Sequence, residues 1–287
     1  MSIANLFRVP FSPALLFTEG VRLSRAAVRQ VDSVFPGHTS QGKISSHVAP
    51  PRGAEMIPLR TRRDQRIKAI FSPAARPHAP TFLFFYGNDM CLRAAMPAFE
   101  LLRSLGINVL VPEYVGFGLS DGKPSEANCY ATADAAYEFL VNHQNIDPRT
   151  LVVGGCSLGG AVAIDLAYRR HVAGVATLVT FTSLREMARR FYPAFLVSLM
   201  LRWRFPSEEK IRRVKCPVLI GHSRTDKFVP FWMADRLAAA AAGPVSRLTL
   251  DNADHNSASV LATATGKIRH QLDEFIQMCQ ARALSAA

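Results

Sequence analysis

The sequence predicts an α/β protein with a mostly parallel central sheet and helices on both of its faces. Three observations predict it. Short apolar runs alternate with longer stretches of helical spacing, Gly and Pro punctuate the boundaries, and a glycine-flanked serine stands where one run passes into a helix. Short continuous apolar runs fit strands buried on both sides, and their alternation with helices argues for crossover connections between parallel strands.

The elements follow in order. Ile67–Phe71 reads as a strand ended by Ser72-Pro73, and Thr81–Tyr86 as a second strand rich in aromatics. Met90–Leu105 has helical spacing closed by Gly106, and Ile107–Val111 is a strand stopped by Pro112. Glu126–His143 is a helix, Leu151–Val153 a strand leading into Gly154-Gly155, and Ser157–Arg170 a helix. Val172–Val179, Val218–Ile220 and Val245–Leu250 complete the strands, with helices over Pro230–Ala242 and Ser257–Ala283. No internal repeat is present. Between Phe181 and Cys216 there is no strand signal. That block, rich in both aromatics and arginine, reads as a small helical cap inserted over about residues 184–213, or else as an ordinary connecting helix packed on the core. Phe191–Trp203 is too short to span a bilayer.

The 287 residues suffice for one large domain with its own core. We place that domain at residues 53–287. Residues 1–52 form an N-terminal segment, whose stretch from Phe35 to Arg52, rich in Pro, Gly, Ser and His, reads as a linker. Leu15–Val34 has the pattern of a basic amphipathic helix. It suits an anionic membrane surface, a packed helix on the domain, or an organelle-targeting peptide, although Glu19 and Asp32 weaken the last. Neither a secretory signal nor a run of about 18 apolar residues is found, so no transmembrane helix is expected.

With 34 Lys and Arg against 22 Asp and Glu, the formal net charge is +12. Such a balance favours anionic partners and is silent about fold. The basic residues are spread along the chain without zinc-finger spacing or an aromatic-basic RNA motif, so nucleic acid is not an expected partner. Five cysteines without CxxC spacing argue against a disulfide framework or a zinc site and for a reducing compartment. No cofactor is expected, and a cytoplasmic location with possible peripheral membrane contact follows.

The chemistry is carried by Gly155-Cys156-Ser157-Leu158-Gly159, a G-x-S-x-G between a β-branched strand and an Ala-rich helix. A nucleophile placed on so sharp a strand-to-helix turn needs small residues two before and two after it for the turn to close. Ser157 is the expected nucleophile, and Cys156, which the turn points inward, an ordinary buried thiol. A serine hydroxyl needs a base to take its proton, and the base needs a carboxylate to orient it. The order nucleophile, acid, histidine is met by Asp226, in the loop after Val218–Ile220, and His255, in the loop after Val245–Leu250. His222 reads as structural, and His143, His171 and His270 as surface residues on helices or their ends. Asp251 and Asp254 flank the base but lie poorly for its far nitrogen, and Asp235 falls within a helix. Two backbone N–H donors are needed for an oxyanion. Leu158, just after the nucleophile, and Asn88, in the turn Tyr86-Gly87-Asn88-Asp89, are the candidates. Gly118–Lys123 lacks the spacing of a phosphate loop.

Together these residues resemble the alpha/beta-hydrolase superfamily over about residues 53–280. They are most similar to intracellular serine hydrolases with a His-Gly-Asn oxyanion loop, a group that includes protein depalmitoylases and lysophospholipases. Glu113–Gly122 looks like that group's D-Y-R-G-Y-G-x-S, and Pro124-Ser125-Glu126 and Asp226–Pro230 match as well. The departures are Tyr86 for the family's His, Glu113 and Val115 for its Asp and Arg, and Ser223 for a Gly before the acid. The resemblance implies an alpha/beta-hydrolase fold and hydrolysis of a carboxylic ester or thioester through an acyl-enzyme. The apolar insertion suggests a small-molecule or lipid-like acyl substrate. A serine peptidase or amidase with the same triad, and a non-catalytic partner-binding protein, are the competing expectations.

Overall fold

The computed structural model describes residues 34–35, 48–251, 253–255 and 265–285. Its strands are β1 Glu55–Arg60, β2 Arg66–Ser72, β3 Thr81–Phe85, β4 Asn108–Pro112, β5 Leu151–Cys156, β6 Gly174–Leu178, β7 Val218–Ser223 and β8 Val245–Leu250. They join one sheet in the order β1-β2-β4-β3-β5-β6-β7-β8. From β4 to β8 every pair is parallel, and β1 and β2 are antiparallel to their neighbours at one edge. The central strands β3, β5, β6 and β7 are buried along their whole length, as their unbroken apolar runs require.

The larger helices are α1 Leu92–Arg103, α2 Glu126–Glu138, α3 Leu158–Arg169, α7 Phe231–Ala240 and α8 Thr265–Ser285. Three short ones lie between β6 and β7: α4 Leu184–Arg189, α5 Ala194–Met200 and α6 Ser207–Ile211. The stretch expected to insert helices over residues 184–213 is therefore helical in short pieces and contains no strand among the described residues. Helix α2 is shorter than its sequence pattern, because Phe139–His143 widens into a π turn. The first part of the expected C-terminal helix, residues 257–264, lies outside the described residues, as does most of the amphipathic stretch before Val34.

Two differences from the sequence reading stand out. Strand β1 carries no clear apolar signal, since it is a half-exposed edge strand with Pro58 inside it, a position where a missing N–H is tolerated. Phe35, expected at the head of a linker, is fully buried among Phe117, Trp203 and Phe205. Four aromatic rings from three separate segments close that cluster.

The short helices are tied down by charge. Asp165 on α3 is buried and takes Lys210 Nζ of α6 at 2.6 Å and Arg169 Nη2 at 2.6 Å. The Lys210 ammonium also lies 4.1 Å from the centre of the Tyr130 ring. Glu126, at the start of α2, accepts the backbone N–H groups of Arg204 and Phe205 at 2.6 and 3.0 Å. Removing one partner of a buried ion pair typically costs about 3–5 kcal/mol. Because Arg169 still faces Asp165, Lys210→Met is expected to lower unfolding stability by about 2 kcal/mol, read from urea denaturation followed by circular dichroism.

Candidate active site

Parallel strands direct their carboxyl ends to one edge, and ligands bind there at the point where strand order reverses. Here the chain runs outward from β3 to β4 and returns to β5, so the reversal falls between β3 and β5. The turn after β3 holds Asn88, the turn after β5 holds Ser157, and the loops after β7 and β8 hold Asp226 and His255.

Ser157 has φ 52° and ψ −115°, a backbone region that side chains avoid and that costs about 1–3 kcal/mol. Glycine packing makes it possible. A Cβ at position 155 would stand 2.4 Å from the Phe85 carbonyl oxygen, and one at position 159 would stand 1.9 Å from the same atom. The Ser157 N–H donates to the Leu178 carbonyl at 2.9 Å, fixing the turn against β6. The thiol of the adjacent Cys156 is buried, and burial pushes it up to about 12, so it stays protonated.

Ser157 Oγ lies 3.2 Å from His255 Nε2, and His255 Nδ1 lies 2.7 Å from Asp226 Oδ2. All three residues are at least nine-tenths buried. The second carboxylate oxygen of Asp226 accepts the backbone N–H groups of Phe228 and Val229, each at 2.8 Å. The Phe228 ring packs on the imidazole with centres 4.8 Å apart. The three residues singled out in the sequence are thus brought together, in the order the chemistry requires. The Asp254 carboxylate accepts the N–H of His255 itself, while Asp235 binds Arg247, so neither reaches the imidazole. His143, His171 and His270 are exposed.

The N–H of Leu158 is the first of its helix and has no intrahelical acceptor. Neither it nor the N–H of Asn88 meets an acceptor among the described residues. The Asn88 side chain, by contrast, donates from Nδ2 to the Val34 carbonyl at 3.0 Å. Tyr86 and Tyr114 are fully buried and hold one another. The Tyr114 hydroxyl donates to the Tyr86 carbonyl at 3.0 Å, and the Tyr114 N–H donates to the Tyr86 hydroxyl at 3.3 Å. Burial pushes both phenols well above their ordinary range, so they stay protonated.

Glu113 and Ser223, two of the departures from the family pattern, each make buried hydrogen bonds. Glu113 is buried and accepts N–H groups from Leu92, at the start of α1, and from Leu119, at 3.1 and 2.8 Å. Burial raises its pKa, and these two bonds offset only part of that rise. Ser223 was not recognisable as a site residue, because its partner lies thirty positions away. Its hydroxyl donates to the Ala253 carbonyl at 2.5 Å and accepts the Ala253 N–H at 3.3 Å. Thr225 Oγ1 donates to the same carbonyl at 3.1 Å. The loop bearing Asp226 is therefore stitched to the loop bearing His255.

This sheet, with a strained serine at the end of β5, defines the alpha/beta-hydrolase class. No protein-family model matches the chain. An uncharacterized protein of Mycobacterium tuberculosis is 34% identical over 214 residues, 74% of this chain and 75% of that one. Alpha/beta hydrolase domain-containing protein 17B of Xenopus laevis is 30% identical over 223 residues, covering 77% of this chain and 75% of its own. Among solved structures, an esterase from Pyrococcus furiosus superposes with a TM-score of 0.66 at 18% identity over 80% of this chain and 99% of that one. An alpha-beta hydrolase from Vibrio vulnificus gives 0.67 at 19% identity over 91% and 94%. The chain belongs to the alpha/beta-hydrolase family.

His222 is buried beside the site, with Nε2 2.9 Å from the Val229 carbonyl and 3.7 Å from Asp226 Oδ2. That carbonyl places the proton on Nε2. Desolvation lowers its pKa against the opposing pull of the Val229 carbonyl and Asp226, and His255 and Arg247 lower it further. A histidine neutral in the fold but free to charge when unfolded takes up protons on unfolding below the ordinary value of about 6.5. Its contribution is intact above that pH and is lost as pH falls through it toward the lowered value. His222→Gln is therefore expected to flatten the acid side of the stability-pH curve below about pH 6.5, measured as urea midpoints from pH 5 to 8.

Proposed function

We propose that this alpha/beta hydrolase is a serine hydrolase of carboxylic esters or thioesters, working through an acyl-enzyme. The observation that carries the reading is the continuous Asp226–His255–Ser157 contact, at 2.7 and 3.2 Å. The 17B relative's name, as an alpha/beta hydrolase domain-containing protein, and the esterase likeness of the fold support it.

Ser157 Oγ attacks the carbonyl carbon while His255 Nε2 takes its proton. The carbonyl π electrons pass to oxygen, and the N–H groups of Asn88 and Leu158 hold that anion. Collapse breaks the bond to the leaving oxygen or sulfur, which takes the proton from His255. Water then gives a proton to His255 and attacks the acyl carbon. Expulsion of Ser157 Oγ, reprotonated by His255, releases the carboxylic acid. Asp226 keeps the proton of the neutral imidazole on Nδ1 and stabilises the imidazolium. The two N–H bonds on its other oxygen keep its carboxylate aimed.

An acyl chain is the substrate we infer, presented at an anionic membrane surface. On α5, Phe195 and Leu199 stand one turn apart and are 69% and 72% exposed. From Arg189 to Arg204 the chain has four arginines and no carboxylate. An apolar face rimmed by cations suits a phospholipid interface. No described helix is long and apolar enough to cross a membrane, so such contact would be peripheral. The five free thiols suit a reducing compartment, and we place the protein in the cytoplasm.

A fluorophosphonate probe is expected to label the wild type and not Ser157→Ala. On a p-nitrophenyl ester, Ser157→Ala should lower kcat by about 10⁶-fold and Asp226→Asn by about 10⁴-fold. Faster turnover of aminoacyl amides than of acyl esters would instead make the protein an amidase. A folded wild type that neither labels nor turns over would make it a binding protein.

The membrane reading has its own assay. Sedimentation with phosphatidylserine vesicles should be strong for the wild type, weaker with rising salt, and reduced at least tenfold in Phe195→Asp/Leu199→Asp. Equal binding by the variant would remove α5 from the contact.

A further inference from the structure

We propose that Val34 and Phe35 are positioning residues of the site, a clamp that holds the Asn88 turn in place for oxyanion binding. The proposal rests on the reading of Asn88 as an oxyanion donor. It reaches beyond that reading by making part of the N-terminal segment a working component of the hydrolase domain.

Two independent contacts carry it. The first is direct. The Val34 carbonyl accepts the Asn88 side-chain amide at 3.0 Å, from fifty-four positions away in the chain. It engages the same residue whose backbone N–H meets no acceptor among the described residues. The second runs through rings. Phe35 is completely buried and meets Phe117 edge-on at 6.2 Å, Trp203 at 5.1 Å and Phe205 at 6.3 Å. Phe117 in turn packs on Tyr86 at 6.3 Å and on Tyr114 at 5.4 Å. Tyr86 begins the turn that contains Asn88, and its carbonyl is fixed by the Tyr114 hydroxyl. One phenyl ring thus wedges three things together: the stack beneath the turn, the segment between α5 and α6, and the chain that supplies the Val34 carbonyl.

The physical consequence is geometric. An oxyanion donor acts only when it is aimed to within a few tenths of an ångström before the reaction begins, and a displacement of about 1 Å can lower rate about 100-fold. Within the turn the Met90 N–H closes back to the Gly87 carbonyl at 3.3 Å. Withdrawing the ring frees the carbonyl from its place, and the Asn88 peptide loses the brace on its side chain. Substrate binding elsewhere is untouched, so the loss falls on kcat.

The test compares wild type, Phe35→Ala, Phe35→Leu, Asn88→Ala and the double variant Phe35→Ala/Asn88→Ala. Asn88→Ala keeps the backbone N–H and removes only the bond to Val34. With p-nitrophenyl butyrate, Phe35→Ala should lower kcat about 10- to 100-fold while KM stays within threefold. Phe35→Leu should recover most of the loss, and the double variant should be no slower than the slower single variant. Hydrogen exchange of the Tyr86–Met90 amides should quicken in Phe35→Ala and in Asn88→Ala whether or not the ester is turned over. That readout separates failure of the clamp from failure of the hydrolase reading, which Ser157 labelling decides. If Phe35→Ala cannot fold, Asn88→Ala alone still reads the clamp through kcat and exchange. Unchanged kcat with unchanged exchange, or strictly additive losses, would overturn the proposal. So would a gain in rate, which would make Phe35 a plug in an acyl slot.

Discussion

A Cβ on residue 159 would collide with the Phe85 carbonyl at 1.9 Å, and one on residue 155 would collide with it at 2.4 Å. The turn that lifts Ser157 out of the sheet therefore presses directly on the end of β3, with no side chain between. This closeness sets the rest of the site. It forces Ser157 into a backbone conformation that only a rigid surround sustains. It also seats the start of α3 on the turn that continues β3, since a Cβ on residue 159 would stand 2.8 Å from the Tyr86 carbonyl oxygen as well. The strain at one residue and this close seating have the same origin: two glycines at a β3–β5 junction that is buried on both faces.

Around that junction the polar groups are held by buried partners. Glu113 shows how this is managed. A carboxylate so far from water is disfavoured as an anion, and it is retained because two backbone N–H groups, from Leu92 and Leu119, point at it. It joins the start of α1 to the loop after β4. The Tyr86–Tyr114 pair does similar work with neutral groups, each phenol finding a backbone partner in an otherwise apolar cluster. The family's charged pair at positions 113 and 115 is replaced here by one carboxylate and a buried valine. The loop is anchored to the backbone rather than to a side-chain cation.

How much of this could be read from the chain depends on the range of the signal. Thr81–Phe85 and Leu151–Cys156 are strands because their residues are continuously apolar and bounded by turn formers, and that pattern is local. The G-x-S-x-G turn is local too, since its constraint falls on five successive residues. Asp226 and His255 were legible because each follows a strand by a few residues. Edge strand β1 was not, for its burial is partial and its pairing partner supplies most of the order. Ser223 and Phe35 were not legible either. A serine that bonds to Ala253, or a phenylalanine that packs against residues 117, 203 and 205, acquires its role from segments far off in sequence. Nothing in the neighbouring residues announces such a contact. The acid-loop Ser was visible only as a departure from a family pattern, and the structure supplies its purpose.

The bonds from Ser223 and Thr225 to Ala253 divide the site into two assemblies. One comprises the ends of β3 and β5 with the serine and the amides of Asn88 and Leu158. The other comprises the loops after β7 and β8, with the carboxylate and imidazole welded to one another. Across the boundary between them Ser157 Oγ lies 3.2 Å from His255 Nε2. A change that shifts one loop of the second assembly therefore carries the other loop with it, so the carboxylate and the imidazole keep their alignment to one another.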